Sequence, residues 1–176
     1  MKKVLVLAII LSVVNFTFAQ NETENITKRD IPTVEIQDVD GSIFSTLNIE
    51  NPDGPIIIDF WATWCKPCIK ELMTMNDLYE EWQDETGVKI YAVSIDDSRG
   101  THKVKPFVDG KAWEFEVLKD PNGDFKRAMG VSDVPHTFIF DKNGKLISQH
   151  TSYSPGDEEE IFEELLKIIE ADTEEK

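Results

Sequence analysis

Cysteine is scarce in this chain, two in 176 residues, so a scaffold held together by many disulfides is excluded. Metal-ligand spacing is missing as well. His102, His136 and His150 stand alone, and two sulfurs would need two further ligands to close a zinc site. Positive charge is short: 18 Lys and Arg face 34 Asp and Glu, for a formal net charge of -16, which makes nucleic acid and anionic membrane poor partners. Much of the acid sits at Asp157 to Glu160, Glu163, Glu164 and Asp172 to Glu175, a pattern that serves solubility. Beyond residue 19 no apolar run approaches the roughly 20 residues of a membrane span, and no internal repeat is visible.

What is present suits one globular domain behind an export segment. Lys2 and Lys3 precede the apolar stretch Val4 to Val14, and Thr17-Phe18-Ala19 places small residues where a signal is cut. Residues 1–19 therefore read as a secretory signal removed after Ala19, with an uncleaved membrane anchor as the alternative. Residues 20–31 read as a polar leader and 32–172 as the folded domain. The expected location is outside the cytoplasm, in the periplasm.

Periodicity divides the domain. Thr33 to Ile36 and Ser42 to Leu47 flank the turn signal Asp40-Gly41 and predict an N-terminal β-hairpin. Pro55 to Phe60 is apolar without alternation until Asp59, the pattern of a central strand buried on both faces. From Pro67 to Asp84, Leu72, Met75, Leu78, Tyr79 and Trp82 share one helical face, and Gly87 closes that helix. Val88 to Ile95 predicts a second central strand, and Thr101 to Asp109 a helix broken or kinked near Pro106. A short extended piece at Glu114 to Leu118, a helix at Phe125 to Met129, a hairpin of Thr137 to Phe140 with Lys145 to Gln149, and a helix from Asp157 to Ala171 complete the order. The expectation is an α/β domain: a central mixed sheet with helices on both faces and an added N-terminal hairpin.

Cys65-Lys66-Pro67-Cys68 falls where the first central strand gives way to the helix. Helix N-termini carry unpaired N–H groups and a partial positive charge, so a sulfur placed there is favoured as thiolate. The second sulfur follows one turn later, within bridging distance. A permanent disulfide at this spacing would close almost no loop and constrain the unfolded chain little, so the pair reads as redox-active. Cys65 is the expected nucleophile and Cys68 the resolving thiol. Lys66 adds a nearby positive charge, and Pro67 fixes φ where the helix begins.

The stretch Phe60-Trp61-Ala62-Thr63-Trp64-Cys65-Lys66-Pro67-Cys68, with Val134-Pro135 before the closing hairpin and this order of elements, resembles thioredoxin-fold proteins over roughly residues 32 to 170. The export signal, the N-terminal hairpin and the segment from Asp96 to Trp113 look like the exported TlpA/ResA subgroup. The resemblance implies a three-layer thioredoxin-like fold and a thiol-disulfide oxidoreductase that needs no cofactor beyond its own cysteine pair. It also implies a cis peptide at Val134-Pro135, a backbone edge at Val134 for substrate, and an apolar wall at Trp64. Asp59 matches the family's buried acid, expected to have a raised pKa and able to accept the Cys68 proton; the exported subgroup often lacks an acid there and has one instead near where Asp97 lies, so this chain offers two candidate acceptors. His136, where many relatives have Thr, is expected to be structural.

The function expected on these grounds is reduction of protein disulfides, with electrons supplied by a membrane thiol-disulfide donor and cytochrome c maturation as one client class. A disulfide-forming oxidase is the alternative. A thiol peroxidase is disfavoured because those relatives place Pro and Thr upstream of the cysteine at a spacing that Phe60 to Cys65 does not reproduce. A non-catalytic binding module is the remaining class.

Overall fold

A computed structural model describes residues 29–174. The expected signal, its cut at Ala19 and most of the leader lie outside the described residues. In chain order the elements are β1 (Glu35–Asp38), β2 (Ile43–Ser45), β3 (Ile56–Trp61), α1 (Lys66–Thr86), β4 (Lys89–Ser94), α2 (Val104–Asp109), β5 (Glu116–Lys119), α3 (Asp124–Ala128), β6 (His136–Phe140), β7 (Leu146–Thr151) and α4 (Asp157–Glu174).

The strands form one seven-stranded sheet in the order β2-β1-β5-β4-β3-β6-β7. β3, β4 and β5 run parallel, joined by helical crossovers, while β6 pairs antiparallel with β3 and β1 antiparallel with β5. All six residues of β3 are buried, because it lies in the middle of the sheet with a core on each face. Ile57 and Trp61 pack beneath α1 and α4, and Ile56, Ile58 and Phe60 pack on the other face with Phe125 of α3. Asp59 lies between Ile57 and Trp61 in the alternation, and so faces α1.

On α1 the buried positions Cys68, Leu72, Met75, Tyr79 and Trp82 follow the helical period and seat the helix on β3. Gly87 ends it in a left-handed conformation, φ 67°, where a side chain would be strained, and its N–H donates to the Gln83 carbonyl at 2.8 Å. α4 crosses this helix through Ile161, Leu165 and Ile168, and Phe162 stacks on Trp82 with ring centroids 5.8 Å apart.

Two local expectations shift. The N-terminal hairpin turns at Asp40-Gly41 as expected, with the Ser42 N–H bonded to Asp38, but its second strand ends at Ser45 and gives way to a 3-10 turn at Thr46–Asn48 where the strand was expected to run to Leu47. Pro106 does not break its helix. It occupies the third position of α2, inside the first turn, where the missing N–H removes no helical bond; the irregularity lies earlier, in the 3-10 turn Thr101–Lys103.

The chain enters the domain at the hairpin between β6 and β7. The Arg29 guanidinium donates to the Leu47 and Ile49 carbonyls, and the Asp30 N–H donates to the Gly144 carbonyl at 2.9 Å. Phe140, at that turn, pairs with Ile56 at the start of β3; the cysteines follow the other end of the same strand.

Trp82→Ala removes the largest side chain joining α1 to α4. The expected loss is about 3–5 kcal/mol of unfolding free energy in guanidinium denaturation.

Candidate active site

β3 ends at Trp61, and Ala62-Thr63-Trp64 carry the chain over the sheet edge into α1. Asp96, just past β4, fixes this loop. Its carboxylate accepts from the Thr63 N–H at 2.8 Å, the Thr63 hydroxyl at 2.6 Å and the Ser94 hydroxyl at 2.8 Å. The Cys65 N–H then donates to the Ala62 carbonyl at 3.0 Å. Cys65 caps α1 from an extended conformation (φ -87°, ψ 98°), and its Sγ accepts from the Cys68 N–H at 3.3 Å. An amide aimed at sulfur at a helix start is the arrangement that favours a thiolate once the bond is reduced.

Cys65 and Cys68 are joined in a disulfide, with Cα atoms 5.4 Å apart. Val134-Pro135 is cis, and the Val134 carbonyl oxygen lies 3.8 Å from the Cys65 Sγ. In the oxidised pair that sulfur carries no proton, so this is a contact and not a hydrogen bond. Trp64, 67% exposed, stands beside the pair. It borders a 710 Å³ groove shared with Thr63, Asp97, Lys103 and Phe107. On the other side of the pair Pro67, Val134, Pro135 and Tyr153 line a second hollow of 410 Å³. Lys66 is exposed in the first turn of α1. Cys65, Cys68, Trp64, Pro67, Val134 and Pro135 thus converge on one end of the sheet.

Beneath the pair lies a buried acid cluster. Asp59, on β3, and Glu71, one turn after Cys68 on the inner face of α1, both meet the Thr137 hydroxyl of β6 at 2.9 Å. Among the described residues Asp59 Oδ1 and Glu71 Oε2 have no hydrogen-bond partner. Loss of solvation pushes the Asp59 carboxyl up to about 7; it also drives Glu71, with the charge of Asp59 adding to it, up to about 9. Glu71 and Thr137 escaped the sequence reading. The helical period does place Glu71 on the stripe with Cys68 and Leu72, a polar residue in an apolar face. Thr137 becomes visible only through the register that sets it opposite Asp59.

Asp97 is elsewhere. It lies in an exposed loop, its carboxylate bonded to the Arg99 guanidinium at 2.8 Å, and that bond holds it below the ordinary carboxylate range. The second carboxyl buried with Asp59 is therefore Glu71, because the chain after β4 carries Asp97 to the surface. His136 stacks on Phe138, with centroids 4.2 Å apart, and pairs with Gln149 at 3.0 Å, a packing position. Among the described residues no group of three or more His, Cys, Asp and Glu side chains is arranged to hold a metal, and no helix is long and apolar enough to cross a membrane.

The raised carboxyls fix the sign of the pH dependence of stability. Between about pH 4 and their folded values the native state keeps protons that the unfolded chain has released, so stability falls as pH rises across that window. In the oxidised protein, denaturation midpoints are expected to drop from pH 5 to pH 9, each group contributing up to about 1.4 kcal/mol per pH unit. Asp59→Asn is expected to flatten the lower part of that slope.

Residues 27–149 match the model of the AhpC/TSA family. Over 171 residues the chain is 33% identical to thiol-disulfide oxidoreductase ResA of Bacillus thuringiensis subsp. konkukian, covering 95% of this chain and 94% of the relative. Among solved structures, an uncharacterized thioredoxin-like protein from Porphyromonas gingivalis is 47% identical with a TM-score of 0.72, over 80% of this chain and 92% of that one. A protein described as thiol:disulfide interchange protein DsbE, from Chlorobium tepidum, is 28% identical with a TM-score of 0.69, over 80% and 95%. The chain belongs to the AhpC/TSA family and is one of its ResA-like thiol-disulfide oxidoreductases.

Proposed function

We propose that the protein is exported, loses its signal after Ala19, and works as a reductant of disulfides in client proteins, with Cys65 as nucleophile and Cys68 as resolving thiol. The observation that supports this most directly is the Cys68 amide directed at the Cys65 sulfur at the head of α1. Once the pair is reduced, Cys65 is the sulfur held as thiolate at the helix start, and Cys68, one turn inside and fully buried, is the one kept as thiol.

The Cys65 thiolate attacks one sulfur of the client disulfide. That S–S bond breaks, the other client sulfur leaves as thiolate and takes a proton, and a mixed disulfide remains. Cys68 then gives its proton to Asp59 and attacks the Cys65 sulfur. The mixed bond breaks, the client leaves reduced, and the Cys65–Cys68 disulfide forms. Two electrons have passed to the client, and a membrane thiol-disulfide donor restores the dithiol. Val134 offers backbone to an extended client segment beside the sulfur, and Trp64 offers an apolar wall. Clients in cytochrome c maturation suit this chemistry.

Insulin reduction by the full chain with dithiothreitol is expected to fall to background in Cys65→Ser, while Cys68→Ser accumulates a client joined to Cys65. Alkylation of the reduced protein by iodoacetamide is expected to be half-maximal at a pH well below the ~8.5 of a free thiol. Equilibration with glutathione is expected to give a potential nearer the roughly -270 mV of thioredoxin than the roughly -120 mV of a strong oxidant. An ordinary thiol profile or an oxidising potential counts against the reductive assignment.

A further inference from the structure

Two hollows flank the Cys65–Cys68 pair, and they differ in charge. Arg99 and Lys103 border the one that Trp64 shares. There the acids are occupied, Asp97 by the Arg99 guanidinium and Asp96 by the Thr63 loop. No Lys or Arg lines the other, the 410 Å³ hollow beside Pro67 and Pro135, where Asp133, Thr151, Ser152 and Tyr153 complete the wall. Asp133 is exposed and forms no salt bridge among the described residues. An open carboxylate next to the redox pair, in a wall without a cation, is the complement of a basic side chain.

We propose that this hollow is a specificity pocket for the client: Asp133 takes the ammonium or guanidinium of a lysine or arginine within two residues of the cysteine under attack, and the Thr151 and Ser152 hydroxyls accept beside it. The proposal rests on the dithiol reading above and adds a choice of substrate to it. Asp133 selects the client and touches no reacting atom.

Backbone geometry sets the reach. The Val134 carbonyl oxygen lies 3.8 Å from the Cys65 Sγ, and Asp133 is the preceding residue, its Cα about 3.8 Å from that of Val134. An extended client rises about 3.3 Å per residue, so a side chain one or two positions from its cysteine comes over Asp133. The far wall is fixed. The Ser152 N–H donates to the Pro135 carbonyl at 3.1 Å, with Ser152 held in the left-handed region at φ 67°, and this keeps the turn after β7 against the Val134-Pro135 loop. The Tyr153 hydroxyl lies 3.0 Å from Glu158 Oε2 and 3.2 Å from Thr74 Oγ1, which anchors the ring as an apolar side for the alkyl stem of a lysine or arginine. Asp157, Glu158, Glu159 and Glu160, at the head of α4, add negative charge beyond Tyr153. Of the nearby cations, Lys70 faces Glu158, and Lys66 is exposed without lining the hollow. A client glutamate in the same position meets Asp133 and is turned away.

The test uses short peptides whose one cysteine is held as its mixed disulfide with thionitrobenzoate, with lysine, norleucine or glutamate two residues before or two residues after it. The Cys65 thiolate of the reduced full chain attacks the peptide sulfur, the bond to thionitrobenzoate breaks, and that thiolate leaves with the electron pair; its absorbance gives the rate in stopped flow. Lysine is expected to react about fivefold faster than norleucine at one or both placements, and glutamate slower than either. At that placement Asp133→Asn is expected to bring the lysine-to-norleucine ratio to about one, and Asp133→Lys to make glutamate the fastest of the three. Asp133→Asn changes a net charge of -16 by one unit, so a lysine advantage that survives it is attraction by the whole chain and overturns the pocket. Equal lysine and norleucine rates at both placements overturn it as well. Release that survives Cys65→Ser sinks the dithiol reading itself, whereas Cys65-dependent release without charge preference sinks only the pocket.

Discussion

An amide hydrogen bond to sulfur at the first turn of α1 is the contact on which the rest of this molecule is arranged. It needs a helix whose head is left open, and the open head needs a helix held firmly along its length. The 21 residues of α1 supply that hold by laying one apolar face on β3 and letting α4 cross behind. A shorter or looser helix would present the same two cysteines without fixing which sulfur the amide meets.

The sheet supplies the second half of the constraint. Parallel strands deliver their carboxyl ends to one edge of the domain, so the loop after β3, the residues after β4 and the turn before β6 arrive together. Asp96 uses that proximity to fasten Thr63, and Val134 uses it to bring a carbonyl to Cys65. Neither residue is near the cysteines in sequence. Fixing the loop by a buried carboxylate with satisfied partners keeps Trp64 in place although its ring is mostly in solvent.

Much of this was legible in advance, and the limits have physical reasons. The apolar run into β3, the stripe along α1 and the turn Asp141 to Gly144 are local patterns, and the elements stand where those patterns put them. The cysteine pair was legible because its chemistry is set by its position at a strand-to-helix junction. The end of the second hairpin strand and the place of Pro106 in its helix were misplaced by a few residues, since a proline in a first turn and one in a helix interior look alike in sequence. The acid pair was half read. Asp59 stands out as a charge in an apolar strand, whereas the place of the alternative acid, Asp97, depends on how the chain leaves β4, and Thr137 depends on antiparallel register.

Asp30 is fastened at the β6–β7 turn and Arg29 beside it to Leu47 and Ile49, at the end of the sheet where β3 begins, and β3 then runs six residues, roughly 20 Å, to the loop that bears the cysteines. The polypeptide thus enters at one pole and exposes its redox chemistry at the other. Any tether, surface or bulky neighbour attached ahead of residue 29 pulls on the far pole and leaves the sulfurs at the opposite end clear of the attachment.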